Sequence, residues 1–286
     1  KTDKIPLSQN KEFKSVKNMI INQAMNIVLE KDVFDDDDEM IEKEFEQAEE
    51  YDNEQFEFTN NSIEDLYKQA QNNNSYAQYK LGKMYLKGEG VNQDAEYGAR
   101  WLLKAIKQNN NYAQYLLGKA ILKGEYLPMD NNLPLDIDSA VELLLKSSDQ
   151  GNELASYTLG KAFIEGDLLP QDISAGFELL LKASEKNCVL ALYYLGKMFY
   201  KGIGVAKDID TAIYYFEKAV KENNSCAAYN LGKIYLSEEG QIDMDKAIYY
   251  FRIAANDNNS FAEYQVGKIY LYGKGVEKEY GIAMHY

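Results

Sequence analysis

The sequence predicts an all-helical fold, an α-solenoid of stacked antiparallel helix pairs, and three observations carry that expectation. The tripeptide Leu-Gly-Lys stands at 81–83, 117–119, 159–161, 195–197 and 231–233 and returns as Val266-Gly267-Lys268, which sets a unit of about 36 residues. Apolar residues around each copy recur at the helical period rather than alternating as in a strand. Glycine turns separate the helical stretches: Gly88-Glu89-Gly90-Val91, Gly202-Ile203-Gly204-Val205 and Gly273-Lys274-Gly275-Val276.

Taken in chain order, residues 1–60 come first and differ from the rest. Most of the net charge of -15 belongs to them, through 17 Asp and Glu against 7 Lys. Phe13, Val16, Ile20, Ala24, Ile27 and Val28 predict an amphipathic helix over residues 12–30. Residues 35–57 hold the run Asp35 to Glu39 and only isolated aromatics, the composition of a mobile acidic linker. A calcium loop needs alternating acids and a glycine at the sharp turn, and this run has neither. Tethered to an array with a row of lysines, the acidic segment is expected to lie transiently over that row.

The array runs over residues 61–286 as about six repeats, the last incomplete. Ile63, Leu66, Tyr67 and Ala70 have the pattern of a second helix and predict a half-repeat cap. In each following copy an Ala lies five residues before the Gly and a Tyr three before it. The first helix thus has small residues where a neighbour must come close and aromatics where space remains. Gly in a helix costs about 1 kcal/mol against Ala, so its return in every copy calls for a packing reason. Second helices follow, as in Ala212, Ile213, Tyr215, Phe216 and Ala219. Asn-rich turns close the units, and Ser75 with Gln78 and Ser260 with Glu263 are expected to be capping boxes. Three turns depart from the pattern. The second copy has a six-residue insertion with Pro128 and Pro134, the third has Gly166 and Pro170 in place of the double glycine, and the fifth has Glu238 at the first glycine. The helix beginning at Ala283 is cut off, and a longer natural array is expected.

The pattern A-x-Y-x-L-G-K, the G-x-G-V turn and the Ala-rich second helix resemble Sel1-like repeats, a relative of the tetratricopeptide repeat with a longer unit. The resemblance implies a protein-interaction scaffold or adaptor that binds a protein or peptide on the concave face of the solenoid. A shorter stretch, residues 4–19, resembles the segment following the catalytic part of plasmid mobilisation relaxases, some of which carry Sel1-like tails. It implies an alternative, a regulatory or docking tail of a larger enzyme.

Chemistry is poorly served by this chain, and no enzymatic activity, cofactor or metal is expected. The single histidine, His285, leaves no acid–base pair or triad. Cys188 and Cys226 give no disulfide framework, and a cytoplasmic setting is expected. The Gly-x-Gly turns lack the third Gly and the preceding strand of a dinucleotide loop. The acidic balance argues against nucleic acid, and no apolar run approaches the roughly 20 residues that span a bilayer. Two ladders remain as candidate partner-binding residues. One is the lysine after each glycine, Lys83, Lys119, Lys161, Lys197, Lys233 and Lys268. The other is the tyrosine before it, Tyr79, Tyr115, Tyr157, Tyr193, Tyr229 and Tyr264. The bland alternative is a solvated lysine face over tyrosines that pack the core.

Overall fold

The computed structural model describes residues 63–124, 136–237 and 242–286, all within one compact unit, Gln55–Tyr286. The helix expected over 12–30, the acidic linker and its docking, the boundary at residue 60, Pro128, Pro134 and Glu238 lie outside the described residues. Thirteen helices and no strand are found among those described. Helix α1 (Ile63–Gln71) takes the place of a second helix, burying Leu66 and Ala70 against Ala77, Leu81 and Trp101. The first helices of the six units are α2 (Ser75–Lys87), α4 (Asn111–Leu122), α6 (Glu153–Glu165), α8 (Val189–Lys201), α10 (Ser225–Leu236) and α12 (Ser260–Tyr272). Their second helices are α3 (Ala95–Ile106), α5 (Ile137–Asp149), α7 (Ile173–Ser184), α9 (Ile209–Lys221), α11 (Met244–Asn256) and α13 (Tyr280–His285).

The repeated glycine sits where first and second helices of one unit cross. A Cβ added at Gly82 would meet the Leu102 side chain at 2.6 Å, at Gly118 the Leu144 side chain at 2.8 Å, and at Gly160 the Gly176 carbonyl at 2.9 Å. At Gly196 and Gly232 the obstacles are the rings of Phe216 and Phe251, at 2.7 and 2.6 Å. Leu102, Leu144, Leu180, Phe216 and Phe251 are themselves fully buried, so the space beside each glycine is already filled. The alanines five residues earlier are fully buried too. Each of the first five first helices packs on its own second helix and, less extensively, on the helix before it; α12 packs about equally on α11 and on the short α13. First helices of neighbouring units also touch, as α2 does α4, α4 does α6 and α8 does α10.

Caps fix the boundaries, and they differ from the expected capping boxes. Ser75 and Ser260 already lie inside their helices; the capping residues are Asn74 and Asn259, whose side chains accept from the Ala77 and Ala262 amides. Asn110, Asn152 and Asn224 cap α4, α6 and α10 in the same way. Gln78 therefore does not reach back to a Ser75 amide; its side chain donates to the Ala70 carbonyl at 3.0 Å. The residue before the cap is Asn in the left-handed region at 73, 109, 187, 223 and 258, and Gly151 in the remaining case. Asn tolerates that conformation and also caps well, so the Asn-Asn turns have a physical basis. Second helices use Asp instead: Asp94, Asp136, Asp172, Asp208 and Asp243 each accept from the amide three residues on.

At the turns inside units, Gly88, Gly202 and Gly273 end their helices with φ of 66 to 74°. Gly166 ends α6 identically at φ 73°, so the third copy departs from the pattern only after that residue. The second glycine packs against the start of the preceding second helix, Gly204 on Ile173 and Gly275 on Met244.

Candidate protein-interaction face

Tyr three residues before the glycine and Lys one after it are four apart, so each helix places them on one stripe, a turn from each other. The two ladders are thereby one. Lys119, Lys233 and Lys268 extend over the rings of Tyr115, Tyr229 and Tyr264 at 5.6, 5.6 and 5.5 Å. These distances are within cation–π reach. Lys197 lies over Tyr194 at 5.9 Å, and Lys161 stands 3.6 Å from Glu165. Lys83 is 8% exposed. Burial, together with the nearby Lys274 charge, lowers the pKa of Lys268.

The tyrosines are unequal. Tyr193 is wholly buried, and Tyr115, Tyr157 and Tyr229 are nearly so; Tyr79 and Tyr264 are half-buried. Their rings join adjacent units, Tyr79 to Tyr112 at 5.7 Å, Tyr157 to Tyr194 at 6.4 Å and Tyr229 to Phe261 at 6.2 Å. The Asn230 amide donates to the Tyr193 hydroxyl at 3.4 Å, again across a unit boundary. Tyr79 and Tyr264 keep part of their surface exposed, whereas Tyr193 has none.

Charge divides between the helix layers, which the net value conceals. The six first helices carry the six ladder lysines with Lys80, Lys87 and Lys201, against Glu153, Glu165 and Glu263 alone. Acids and bases are balanced on the second helices, whose starts add the Asp caps. Sequence reading noticed the lysine row but not this partition, although the helix boundaries make it readable. It also passed over Tyr214 and Tyr249, which are 51% and 60% exposed on α9 and α11. Their neighbours Tyr215 and Tyr250 stack flat on Phe199 and Tyr235 at 5.7 and 5.8 Å. A cleft of about 430 Å³ beside Tyr249 is lined by Asp245, Arg252, Tyr270 and Val276, and Arg252 there donates to the Tyr270 hydroxyl at 3.1 Å.

Among the described residues no group of three or more His, Cys, Asp or Glu could hold a metal ion, and no helix is long and apolar enough to cross a membrane. Both cysteines are buried and free, and burial pushes the Cys188 thiol up to about 12.

The family model described as Sel1 repeat matches six stretches, residues 75–110, 111–152, 154–188, 189–224, 227–259 and 260–286. The chain belongs to the Sel1 repeat family. Its array is similar to a solved Sel1 repeat protein from Oxalobacter formigenes, at 27% identity and a TM-score of 0.62, over 74% of this chain and 83% of that one. It also shares its fold with the uropathogenic Escherichia coli protective antigen c5321, described as displaying an SLR fold. There the identity is 24% and the TM-score 0.70, and the match spans 78% of this chain but 47% of the antigen, less than half its length. No curated protein matches the sequence closely. The stacked helix pairs are those of a Sel1 solenoid, a fold that generally serves protein–protein interaction rather than catalysis.

Proposed function

We propose that the Sel1 array is a scaffold that binds a protein or peptide through the concave face formed by its first helices. The observation that carries this reading is the Tyr–Lys stripe repeated on α2, α4, α6, α8, α10 and α12. It puts cationic groups beside aromatic rings on one helix layer while the second-helix layer stays balanced in charge. Lysine and tyrosine together suit a protein surface: the ring supplies contact area at low entropic cost and the ammonium supplies orientation. Repetition along a solenoid extends such a strip over many units.

The test compares three forms of the full chain in affinity capture from the native host, with bound proteins identified by mass spectrometry. One has the six ladder lysines changed to Gln; another has Lys104, Lys146, Lys182 and Lys218 of the second helices changed to Gln. The reading expects the specific partners to be lost from the first variant and kept by the second. Partners kept by the first and lost by the second would place the interface on the other layer.

A further inference from the structure

The ladder is not uniform, and its first two units differ from the rest in a way that selects a ligand. Helices α2 and α4 contain no acidic residue, as is true of α8 and α10, but only α2 adds a second lysine, Lys80, ahead of the ladder one. On α2, Tyr76, Tyr79, Lys80, Lys83 and Lys87 fall on a single stripe by their spacing. Tyr76 and Tyr79 lie 5.9 Å apart and Tyr79 continues to Tyr112 of α4 at 5.7 Å, so three half-buried rings make a shelf across the unit boundary. Lys80 stands over the Tyr76 ring at 5.3 Å. Lys83, one turn further on, is more than nine-tenths buried and has no hydrogen bond or ion pair among the described residues. Burial lowers the pKa of Lys80, and the Lys83 charge lowers it further. Two ammonium groups are thus held near each other in a partly desolvated place, an arrangement that an arriving anion relieves.

No later unit has the whole arrangement, and the position of Lys80 holds Leu116, Thr158, Tyr194, Asn230 or Gln265 in the other units. The positions of Tyr76 and Tyr112 are occupied by Leu154, Leu190 and Cys226, all buried, in the third to fifth units, and by Phe261 in the sixth, which meets Tyr229 but has no lysine at the place of Lys80. Glu165 lies beside Lys161, and Glu153 and Glu263 also stand on first helices.

We infer that the junction of the first two units is a docking site for an acidic peptide segment, its carboxylates on Lys80, Lys83 and Lys119 and an apolar side chain on the Tyr76–Tyr79–Tyr112 shelf. This rests on the first-helix face being the interaction surface. A short peptide is favoured over nucleic acid because few lysines are gathered here and the chain carries a net charge of -15. A long polyanion would feel that charge along its length, whereas a few carboxylates on the site are screened from it beyond about 8 Å at physiological salt.

Fluorescence anisotropy with the full chain tests the site. The probes are a labelled dodecapeptide alternating Glu with Leu and Phe, its Gln isostere, and a labelled single-stranded oligonucleotide of equal charge. The protein forms are wild type, Lys80→Gln/Lys83→Gln and Lys197→Gln/Lys233→Gln, each checked for folding by circular dichroism, with Lys80→Gln alone in reserve should the first double variant unfold. The acidic peptide is expected to bind wild type and to weaken roughly tenfold or more in Lys80→Gln/Lys83→Gln. In Lys197→Gln/Lys233→Gln the loss should stay under about twofold, the scale of exposed surface charges. Equal losses in both double variants would overturn the local site while leaving the ladder reading intact. Equal binding of the Gln isostere, tighter binding of the oligonucleotide, or no binding of the acidic peptide would overturn the inference outright. The capture experiment above would still decide the general reading.

Discussion

At the residue scale the repeated glycine shows how close approach and helix propensity compete. Gly196 faces the Phe216 ring with no room for a Cβ, so Gly196→Leu is expected to cost about 1–3 kcal/mol by overpacking. Gly267 differs, since a Cβ there would meet its nearest atom, the Ala283 carbonyl oxygen, at an ordinary 3.4 Å. Gly267→Ala should therefore be neutral or stabilise the chain by up to about 1 kcal/mol, the helix-propensity gain. Thermal melts of the two variants check both expectations, and equal losses would show that the crossings are not tight where the geometry says they are. Cys188 supplies a pH test. Its thiol is raised by burial to about 12, so between the unfolded value near 8.5 and that point only the unfolded chain loses the proton. The neutral thiol's contribution is complete below about pH 8.5 and is lost as pH rises toward 12, at about 1.4 kcal/mol per unit. Cys188→Ala should flatten the alkaline fall in stability measured by urea melts from pH 8 to 10.5, and an unchanged slope would assign that fall to other groups. The glycine's packing role was legible in the sequence because only a packing reason explains a costly residue recurring in a helix. The differences among the six tyrosines were not legible. They depend on what the next unit brings against each ring, Tyr112 beside the half-buried Tyr79 but Asn230 on the wholly buried Tyr193, contacts across units that one repeat cannot show.

At the element scale the caps form a two-letter scheme, Asn before first helices and Asp before second helices, with Glu279 before α13 outside it. Ser-x-x-Gln and Ser-x-x-Glu resembled capping boxes because Ser is a good cap, yet Asn one residue earlier holds the extended backbone and accepts the bond. Neighbouring candidates of equal propensity are separated only by where the left-handed residue ends the preceding helix, and Asn73 and Asn258 decide that. Helix α8 is the exception among the first helices, with Cys188 at its cap and no side-chain bond. The corresponding Asn152 and Asn224 are equally buried, so the site accommodates Asn. Cys188→Asn is thus expected to stabilise the fold by about 1 kcal/mol and Asn224→Ala to destabilise it by a similar amount. Opposite shifts in the melting temperature of the two variants would bear this out; a drop in both would mean that the thiol's apolar packing outweighs the missing bond.

At the scale of the whole array, stability in a solenoid is close to a sum over units and their nearest-neighbour contacts, so an interior unit is held from both sides. The period, the pairing of helices and the solenoid itself followed from the recurrent tripeptide, because a unit that cannot bury its own apolar face must stack. The partition of charge between layers did not, since it depends on which residues lie inside each helix, and turn boundaries had to be known first. Burial grades along the array as the nearest-neighbour picture requires. Helix α8 buries Tyr193, Leu192, Leu195 and Met198 almost completely, whereas α13 contains no buried residue. Hydrogen exchange followed by mass spectrometry should therefore find α8 and α10 exchanging at least roughly a hundredfold more slowly than α13, with α1 and α12 between them. Gly196→Leu supplies the sharper part of the test. If units are coupled mainly to their neighbours, that substitution should speed exchange in α8 and α9 most, in α7 and α10 less, and in α2 and α3 least. Acceleration by one common factor through all the helices would mean that the array opens only as a single cooperative body, and the additive account of its stability would fall.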